Sequence, residues 1–424
     1  MGFLLIAAFV ILFLLGFPIV MAIALPAITY LILNHVPIDM IAQRMSYALY
    51  SFPLIAVPIF IFGGSLMNST EITHRIFKFA DTSVGRLHGG LAQVNCFASL
   101  IFAGMSGAAL ADVGGLGLVE IKAMEEKGFT TSFSAAVTIA SATVGPIFPP
   151  SIPLILYGAV TGVSGVKLLL AGIIPGILCT VMLMIMTAFI AKARNLPRAE
   201  RWPTRSEILG AIIPALPALL APVILISGMM IGFFTPTEAA AVTVIYMIIV
   251  SALYYRNFTY KGLLYSTIET IKASAGILII VSAASLFGWI LAIEQIPQFF
   301  DKWIHAFSQN PLVLLFLINI FLLIVGMFLD ATTAILLLAP IISPAIVAAG
   351  VNPVHLGLVI VFNLMIGLIT PPMGLSLYLV SDITKETIPN IIRDVLPYFI
   401  PLLLTLFIIT YFPRVSLWIP SFLK

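Results

Sequence analysis

Apolar residues fill most of the chain in long runs, and two of these runs are interrupted by paired prolines. One break reads Gly-Pro-Ile-Phe-Pro-Pro-Ser at 145–151, and the other reads Gly-Leu-Ile-Thr-Pro-Pro-Met at 367–373. Because proline lacks an N–H group and clashes with the preceding turn, neither run can form one continuous helix. Inside a bilayer, broken backbone survives only where it is buried in protein or lines a wet cavity. The pattern therefore predicts two broken membrane spans, over residues 130–160 and 355–380.

A segment rich in small or apolar residues precedes each break. Residues 91–123 are dense in glycine, alanine and serine, which allow close helix packing in membranes. This segment is predicted to enter the membrane, turn at residues 106–107 and leave on the same side. Residues 311–349 are predicted to form a second re-entrant hairpin of this kind, with its turn at residues 330–333.

The other apolar runs predict ordinary spans, and two polar–apolar mixtures predict helices in the membrane interface. Residues 1–33 would be about 50 Å long as one helix, so they form either one strongly tilted helix or two short ones. Residues 71–87 and 295–310 alternate charged and aromatic or aliphatic residues, as interfacial amphipathic helices do. Further spans are predicted at 47–67, 167–191, 208–233, 237–255, 271–293 and 395–412.

An internal duplication relates the two halves of the chain. A shift of 222 residues superimposes, in register with the hydropathy pattern, Gly104 on Gly326, Gly128 on Gly350, Gly145 on Gly367, Pro149-Pro150 on Pro371-Pro372 and Pro175 on Pro397. The predicted repeats are residues 1–191 and 208–424, joined by a polar connector at 192–207.

The distribution of basic residues predicts that the two repeats are inverted. The connector is rich in arginine and lysine, and such loops lie in the cytoplasm. Counting spans from it in both directions makes the first hairpin open from the cytoplasm and the second from the periplasm. Inverted repeats of this kind are one known route to alternating access.

Composition supports an all-α integral membrane protein. The chain is 61% hydrophobic and only 9% charged, whereas soluble domains carry about 25% charged residues. A net charge of +3, scattered along the chain, does not indicate nucleic acid as a partner. Two isolated cysteines provide neither a disulfide framework nor a metal cluster. The first apolar segment lacks a basic region and a cleavage site, so we expect it to be a retained span.

The breaks also predict chemistry. The carbonyl end of a broken helix is negative and its N–H end is positive, which suits a small cation and a carboxylate respectively. We expect a Na⁺ site between residues 106–108 and 145–151, with a mirror site between 330–333 and 367–373. Ligands that are only oxygens suit Na⁺ better than a soft transition metal.

Simpler interpretations exist for the same residues. A proline kink can be a packing feature whose freed groups are satisfied by neighbouring helices. Asp330 and Asp112 are ionisable groups at membrane depth, which suggests function, but either can instead cap a helix. The hydroxyl groups at several candidate positions can bond to their own helix backbone, namely Ser106, Thr332, Thr333, Thr370 and Ser376.

Two other classes of protein are less consistent with the pattern. Gly104-Met105-Ser106-Gly107 resembles an intramembrane serine protease motif, but Ser106 would need a base within reach, and no histidine lies deep in a span. A channel is the other rival, although closed, proline-broken sites suit a carrier better. The chain contains no ATP-binding loop, so ion coupling is the expected energy source.

With these residues in view, the chain resembles the large membrane subunit of the tripartite ATP-independent periplasmic (TRAP) transporters over essentially its whole length. The resemblance rests on Gly-Met-Ser-Gly-Ala-Ala-Leu-Ala-Asp at 104–112, the two breaks at 145–151 and 367–372, and Phe-Leu-Asp at 328–330. The more distant divalent-anion/sodium symporters share the inverted hairpin design, but their Ser-Asn-Thr hairpin signatures are missing here. A stand-alone carrier of that type is the alternative.

The resemblance implies a function and a mechanism. Hairpins and broken spans would form a mobile transport domain in an elevator mechanism, with the other spans as a scaffold and the segments at 71–87 and 295–310 as connecting arms. Na⁺ would drive uptake of an organic acid, such as a C4-dicarboxylate or sialic acid, across the bacterial inner membrane. The implied partners are a separate small four-helix membrane subunit and a periplasmic substrate-binding protein.

The resemblance also implies which residues bind the ligands. Na⁺ would be bound, largely through backbone carbonyls, by Ser106, Gly145, Phe148 and Pro150 in the first half and by Gly367, Thr370 and Met373 in the second. The substrate would lie nearest Asp330 and its neighbouring hydroxyls, with the substrate-binding set being Asp330, Thr332, Thr333, Ser376 and Asp112.

Overall fold

A computed structural model describes residues 1–37, 39–70, 72–198 and 201–423. Within these ranges the regular structure is helical throughout and no β-strand occurs, which confirms the predicted all-α class. Glu71, at the start of the first predicted amphipathic segment, and Ala199 and Glu200 of the predicted connector lie outside the described residues.

The first half of the chain is a series of helices of very different lengths. Short helices surround the first pair of prolines, and longer ones lie on either side. The helices are α1 (Gly2–Leu14), α2 (Ile19–Leu33), α3 (Asp39–Leu49), α4 (Ala56–Ser69), α5 (Ile72–Val84), α6 (Leu91–Ser106), α7 (Ala109–Gly114), α8 (Leu116–Glu126), α9 (Thr131–Ala142), α10 (Ile152–Thr161), α11 (Gly165–Ala171) and α12 (Ile173–Ala193).

The second half contains the longest helices and the second interrupted span. The helices are α13 (Arg205–Met230), α14 (Pro236–Ile249), α15 (Tyr260–Ile293), α16 (Ile296–Phe307), α17 (Pro311–Gly326), α18 (Ala331–Ala348), α19 (Pro353–Gly367), α20 (Leu375–Thr384), α21 (Ile388–Val395), α22 (Phe399–Tyr411) and α23 (Pro413–Leu417).

Several helical stretches in the described chain are long and apolar enough to cross a membrane, and the protein is therefore a multi-pass membrane protein. There are seven such stretches, and an eighth if α16 and α17, which meet at a bend of 117°, count as one span. The seven are Phe52–Ser69, Gly165–Ala193, Arg205–Met230, Pro236–Tyr254, Tyr260–Ile293, Ala331–Ala348 and Ile388–Tyr411.

The structure decides one alternative that the sequence left open, and it differs from the prediction at two boundaries. Residues 1–33 form two helices, because the chain turns before Pro18, and α1 packs against α2. The span predicted at 47–67 begins later, since Tyr47 belongs to α3 and a turn before Pro53 separates the two. The span predicted at 271–293 is the last part of a 34-residue helix, which Thr259 caps by accepting a hydrogen bond from the Gly262 N–H.

Both proline pairs interrupt helical structure as predicted. The first interruption separates α9 from α10, and the second separates α19 from α20. The peptide bond within each proline pair is cis. Neighbouring helices cover the interrupted backbone in the same way in each half. The first hairpin arm packs on the first half of its own broken span, as α6 on α9 and α17 on α19. The second half of each broken span packs on the far arm of the other hairpin, as α10 on α18 and α20 on α7.

Two glycines allow the second hairpin to contact the second break directly. A Cβ added to Gly367 would lie 2.4 Å from the carbonyl carbon of Gly326 and 2.5 Å from its Cα. Both contacts are with backbone, which cannot rotate away as a side chain can. The close packing of α17 on α19 therefore requires glycine at position 367.

We predict that Gly367→Ala destabilises the protein by about 1–3 kcal/mol, the usual result of forcing an extra methyl group into a packed site. The matched control is Gly276→Ala, because a Cβ there meets nothing within 4 Å. The midpoint of thermal unfolding of the purified protein in detergent should fall for the first variant and stay unchanged or rise for the second. Equal midpoints for both would contradict the close approach.

Candidate functional site

A backbone hydrogen bond joins the first hairpin tip to the first break. The Ile152 N–H, at the start of α10, donates to the carbonyl oxygen of Gly107 at 3.2 Å. Gly107 has φ +67°, and a Cβ there would lie 2.7 Å from the Pro150 oxygen. Only glycine adopts this conformation at so short a distance without strain. The tip and the break therefore contact each other backbone to backbone at this point.

The second tip and the second break are joined in the same manner. The Gly374 N–H donates to the carbonyl oxygen of Met327 at 3.3 Å, and the Ser376 N–H donates to that of Leu368 at 3.0 Å. Gly374 is the residue that the 222-residue shift places on Ile152. In each half, an N–H group just after the break thus donates to a carbonyl between the two helices that precede it in the predicted hairpin, Gly107 in the first half and Met327 in the second.

A buried acid lies beside the first contact. The hydroxyl of Ser106 donates to Oδ1 of Asp112, and both residues are buried. Oδ2 of Asp112 has no hydrogen-bond partner among the described residues. This oxygen points toward the break, since a Cβ built on Gly145 would lie 2.5 Å from it. The structure thus brings together Ser106 and Gly145, both predicted for Na⁺, with Asp112, which was predicted for the substrate.

Carbonyl oxygens at the first break are available as ligands. No hydrogen bond from the described residues ends on the carbonyls of Gly145, Phe148 or Pro150. The Ser151 hydroxyl, in contrast, donates to the Pro146 carbonyl and accepts the Leu154 N–H at 3.1 Å, which caps α10. The three free carbonyls belong to the residues predicted to bind Na⁺.

The second break differs in its hydrogen bonding. The Gly367 carbonyl accepts the Thr370 N–H at 2.9 Å, and the Thr370 hydroxyl donates to the Ile366 carbonyl at 2.6 Å. Within the described chain, the carbonyls of Thr370 and Met373 accept no hydrogen bond. Of the three residues predicted to bind Na⁺ here, two therefore have free carbonyls, while Gly367 already uses one lone pair.

Asp330 caps the helix that follows the second hairpin turn. Its carboxylate accepts the Thr333 N–H at 3.1 Å and the Thr333 hydroxyl at 2.5 Å, at the first turn of α18. Asp330 and Thr332 are half-buried, and Thr333 and Ser376 are fully buried. The cap is thus observed. The substrate role of these residues stays a prediction, and the Asp330 carboxylate is only half-buried, so it can still contact a ligand.

The two sites differ in how far their residues are exposed, which the sequence did not predict. Every residue of the first break is buried except Phe148, which is half-buried. At the second site, Met373 is 43% exposed and Tyr378, one turn into α20, is 51% exposed. The first site is therefore closed, whereas the second has an open face that can receive a larger ligand.

A buried polar cluster behind the first site was also missed from the sequence. Asn95, Ser99, Thr138 and Ser141 are all buried and bonded to one another between α6 and α9. A similar set, Asn319, Asn363 and Thr410, joins α17, α19 and α22. The sequence feature that could have revealed both clusters is the presence of Asn, Ser and Thr within apolar runs. Such polar side chains in membrane helices commonly bond to one another across helices.

The hydrolase alternative requires a base beside Ser106. The one histidine buried in the described chain has other partners: His355 lies 2.8 Å from the Ser416 hydroxyl and 3.2 Å from the Thr410 carbonyl oxygen. The only hydrogen bond of the Ser106 hydroxyl in the described chain is with Asp112. The geometry thus places an acid, and not an imidazole, next to this serine.

Comparison with known proteins finds relatives along nearly the whole chain. The profile of the family described as "Tripartite ATP-independent periplasmic transporter, DctM component" matches residues 6–415. The sialic acid TRAP transporter large permease protein SiaM of Vibrio cholerae is 43% identical over 410 residues, covering 96% of this chain and 95% of SiaM. The C4-dicarboxylate large permease protein DctM of Pseudomonas aeruginosa is 36% identical, covering 94% of this chain and 93% of that protein.

A longer relative and a solved structure extend the comparison. The sialic acid TRAP transporter permease protein SiaT of Haemophilus influenzae is 39% identical over 90% of this chain, which spans 62% of SiaT. The crystal structure of the YdaH transporter of Alcanivorax borkumensis has a similar fold, with a TM-score of 0.61, 17% identity and coverage of 90% of this chain and 87% of that one.

These relatives are permeases, and none of those named here is an enzyme. The family profile spans both hairpins and both breaks, so the match includes every candidate site residue. The resemblance noted from the sequence is confirmed, and the protein is a transporter and not a hydrolase. The chain belongs to the DctM component family of the tripartite ATP-independent periplasmic transporters.

Proposed function

We propose that this chain is the membrane subunit that carries an organic acid across the bacterial inner membrane by Na⁺-coupled secondary active transport. The substrate proposed is of the sialic acid type, because two relatives at 43% and 39% identity are named as sialic acid permeases. A C4-dicarboxylate is the second candidate, on the basis of the 36% identical DctM.

The observation that carries the coupling proposal is the unsatisfied oxygen set at the first break. Asp112 Oδ2 is buried without a partner, and the carbonyls of Gly145, Phe148 and Pro150 accept no hydrogen bond within the described chain. A buried carboxylate is stable only when paired or when it binds a cation. Na⁺ would supply that charge, so we assign Asp112 to the cation and not to the substrate.

The open face at the second break supports the proposal for the organic acid. The N-cap of α20 is Gly374, which has no side chain to cap the helix. Within the described residues, the Leu375 N–H has no loop carbonyl and no side chain as its acceptor. The positive end of a helix attracts a carboxylate. Na⁺ bound by the carbonyls of Thr370 and Met373 nearby would strengthen that attraction.

Helix packing supports an elevator mechanism, which we include in the proposal. The amphipathic helix α5 contacts α13 on one side and the hairpin arm α6 on the other. Likewise α16 contacts both α15 and the hairpin arm α18. These two helices would be the arms that join a scaffold to a mobile domain built from hairpins and broken spans. The inverted relation of residues 1–191 and 208–424 stays a prediction on which this mechanism depends.

The partners proposed are those of a tripartite transporter. A small four-helix membrane subunit would be a separate chain, and a periplasmic substrate-binding protein would deliver the acid. Much of the substrate selectivity would then lie in the binding protein, because no basic side chain is among the candidate substrate residues of this chain.

We predict that uptake of sialic acid into proteoliposomes containing this chain, the small subunit and the binding protein requires an inward Na⁺ gradient. Asp112→Asn should raise the Na⁺ concentration for half-maximal uptake by about tenfold or more, since a hydrogen bond or contact to a charged group contributes roughly 1.5–3 kcal/mol. The control is Glu125→Gln, an exposed acid on α8. Uptake of the wild type that is unchanged when K⁺ replaces Na⁺ would refute the coupling.

We also predict that the charge of Asp330, and not only its cap, is needed for transport. Asn caps helices nearly as well as Asp, whereas Ala loses about 1 kcal/mol of stability. Asp330→Asn should therefore keep the unfolding midpoint of the complex and lose uptake, while Asp330→Ala should lose both. Normal uptake by the Asn variant would reduce Asp330 to a structural cap.

A further inference from the structure

A closed hydrogen-bond network lies between α6 and α9. Asn95 Nδ2 donates to the Thr138 hydroxyl at 2.7 Å, and the Ser141 hydroxyl donates to Asn95 Oδ1 at 2.7 Å. The Ser99 hydroxyl donates to that of Ser141 at 3.0 Å, and the Thr138 hydroxyl donates to the Ser134 carbonyl at 2.9 Å. Each hydroxyl proton in this network therefore already has an acceptor.

Glu120 lies on the face of α8 that packs against this network. Gly117, one turn before it, is so close to α9 that an added Cβ would lie 2.6 Å from Cγ2 of Thr138. Met124, one turn after it, has its sulfur 4.0 Å from Asn95 Nδ2. Residues spaced by three or four share one face of a helix, so Glu120 faces α6 and α9 as well.

Glu120 is buried, and one oxygen of its carboxyl group is buried without a partner. The residue is 1% exposed, and its Oε1 has no hydrogen-bond partner in the described chain. An ionised carboxylate only accepts hydrogen bonds. Because the hydroxyl donors next to it are already used, the network provides Glu120 with none.

The helices packed against α8 also lack a counter-charge. These helices are α6, α7 and α9, whose titratable side chains are Cys96 on α6 and Asp112 on α7, with none on α9. On α8 itself, Lys122 is exposed, as are Glu125 and Glu126. Across a groove from α8, Lys385 is paired with Asp382 at 2.9 Å on the surface. No cationic side chain on these helices therefore neutralises Glu120.

We propose that Glu120 is a proton-binding site of the first hairpin and that the transporter works only while this proton is bound. A carboxyl group carrying a proton is neutral, so burial in an apolar membrane domain is tolerated. Loss of the proton leaves an unpaired charge beside Asp112, which the packing of α8 on α9 cannot accommodate. The effect on transport rests on the proposed uptake function, whereas the protonation of Glu120 does not.

A groove lies on the opposite face of α8 from the Glu120 carboxyl group. It has a volume of about 690 Å³ and is lined by Val119, Ile121 and Lys122 of α8 and by Ile383 of α20, among others. Glu120 lies between two of these lining residues in sequence and faces the other side of the helix. Release breaks the O–H bond, passes the proton to water and leaves both bonding electrons on the carboxylate.

Infrared difference spectroscopy of the purified protein tests protonation directly. The carbonyl stretch of a protonated carboxyl group, which shifts in D₂O, should be present at neutral pH and should lose one component in Glu120→Gln. Glu125→Gln is the control and should leave the band unchanged, because that side chain is exposed. Asp112→Asn identifies any separate contribution of the neighbouring acid.

Uptake by the reconstituted transporter tests the functional consequence. Wild-type uptake should fall about tenfold for each pH unit above the titration point of the group, since one proton is lost. Glu120→Gln, which is permanently neutral, should transport at the same rate across that pH range. The proposal is overturned if the Glu120→Gln substitution leaves the protonated carboxyl band unchanged. It is also overturned if a pH titration of the wild type shows no protonated carboxyl band, a result that does not depend on how well the variant folds. Equal pH profiles for wild type and variant overturn it as well.

Discussion

The need to satisfy backbone hydrogen bonds inside the membrane is the constraint on which this structure depends. Two proline pairs interrupt helices at membrane depth, and the freed N–H groups must find acceptors without water. The Gly107 and Met327 carbonyls provide them, to Ile152 and Gly374 respectively. Hairpin tips and breaks are therefore parts of one unit in each half, and neither could exist in the bilayer alone.

That solution leaves carbonyl oxygens free, and it does so differently in the two halves. At the first break, Asp112 adds a buried carboxyl group next to Gly145, and the residues of the break are buried or half-buried. At the second break, the acid Asp330 is engaged at the start of α18, and Met373 remains partly exposed. A closed, charged site suits a small ion, and an open one suits a larger organic acid. The two proline breaks thus have similar backbones and different chemistry.

Small residues and buried polar side chains are the means by which these units pack. Gly367 lets α17 and α19 approach at backbone distance, and Gly117 lets the Thr138 side chain of α9 pack closely against α8. Asn95 then links α6 to α9 through hydroxyl groups whose hydrogen bonds are complete. Such a saturated network makes the position of Glu120 unusual, because the network offers no hydrogen-bond donor to an ionised carboxylate. We therefore propose that Glu120 is protonated there. Packing and charge are therefore coupled in the first hairpin.

The sequence by itself determined the membrane class, the two breaks, the two amphipathic helices and the family. These properties follow from composition, proline positions and periodicity, which act over a few neighbouring residues. Only the tertiary structure decided that Asp112 belongs with Gly145, that the second break is open while the first is closed, and that Tyr47 lies outside the span that follows it. It also paired Asn95 with Thr138, which is 43 residues away. Contacts of this kind depend on how whole helices cross, and local sequence patterns do not encode the crossing.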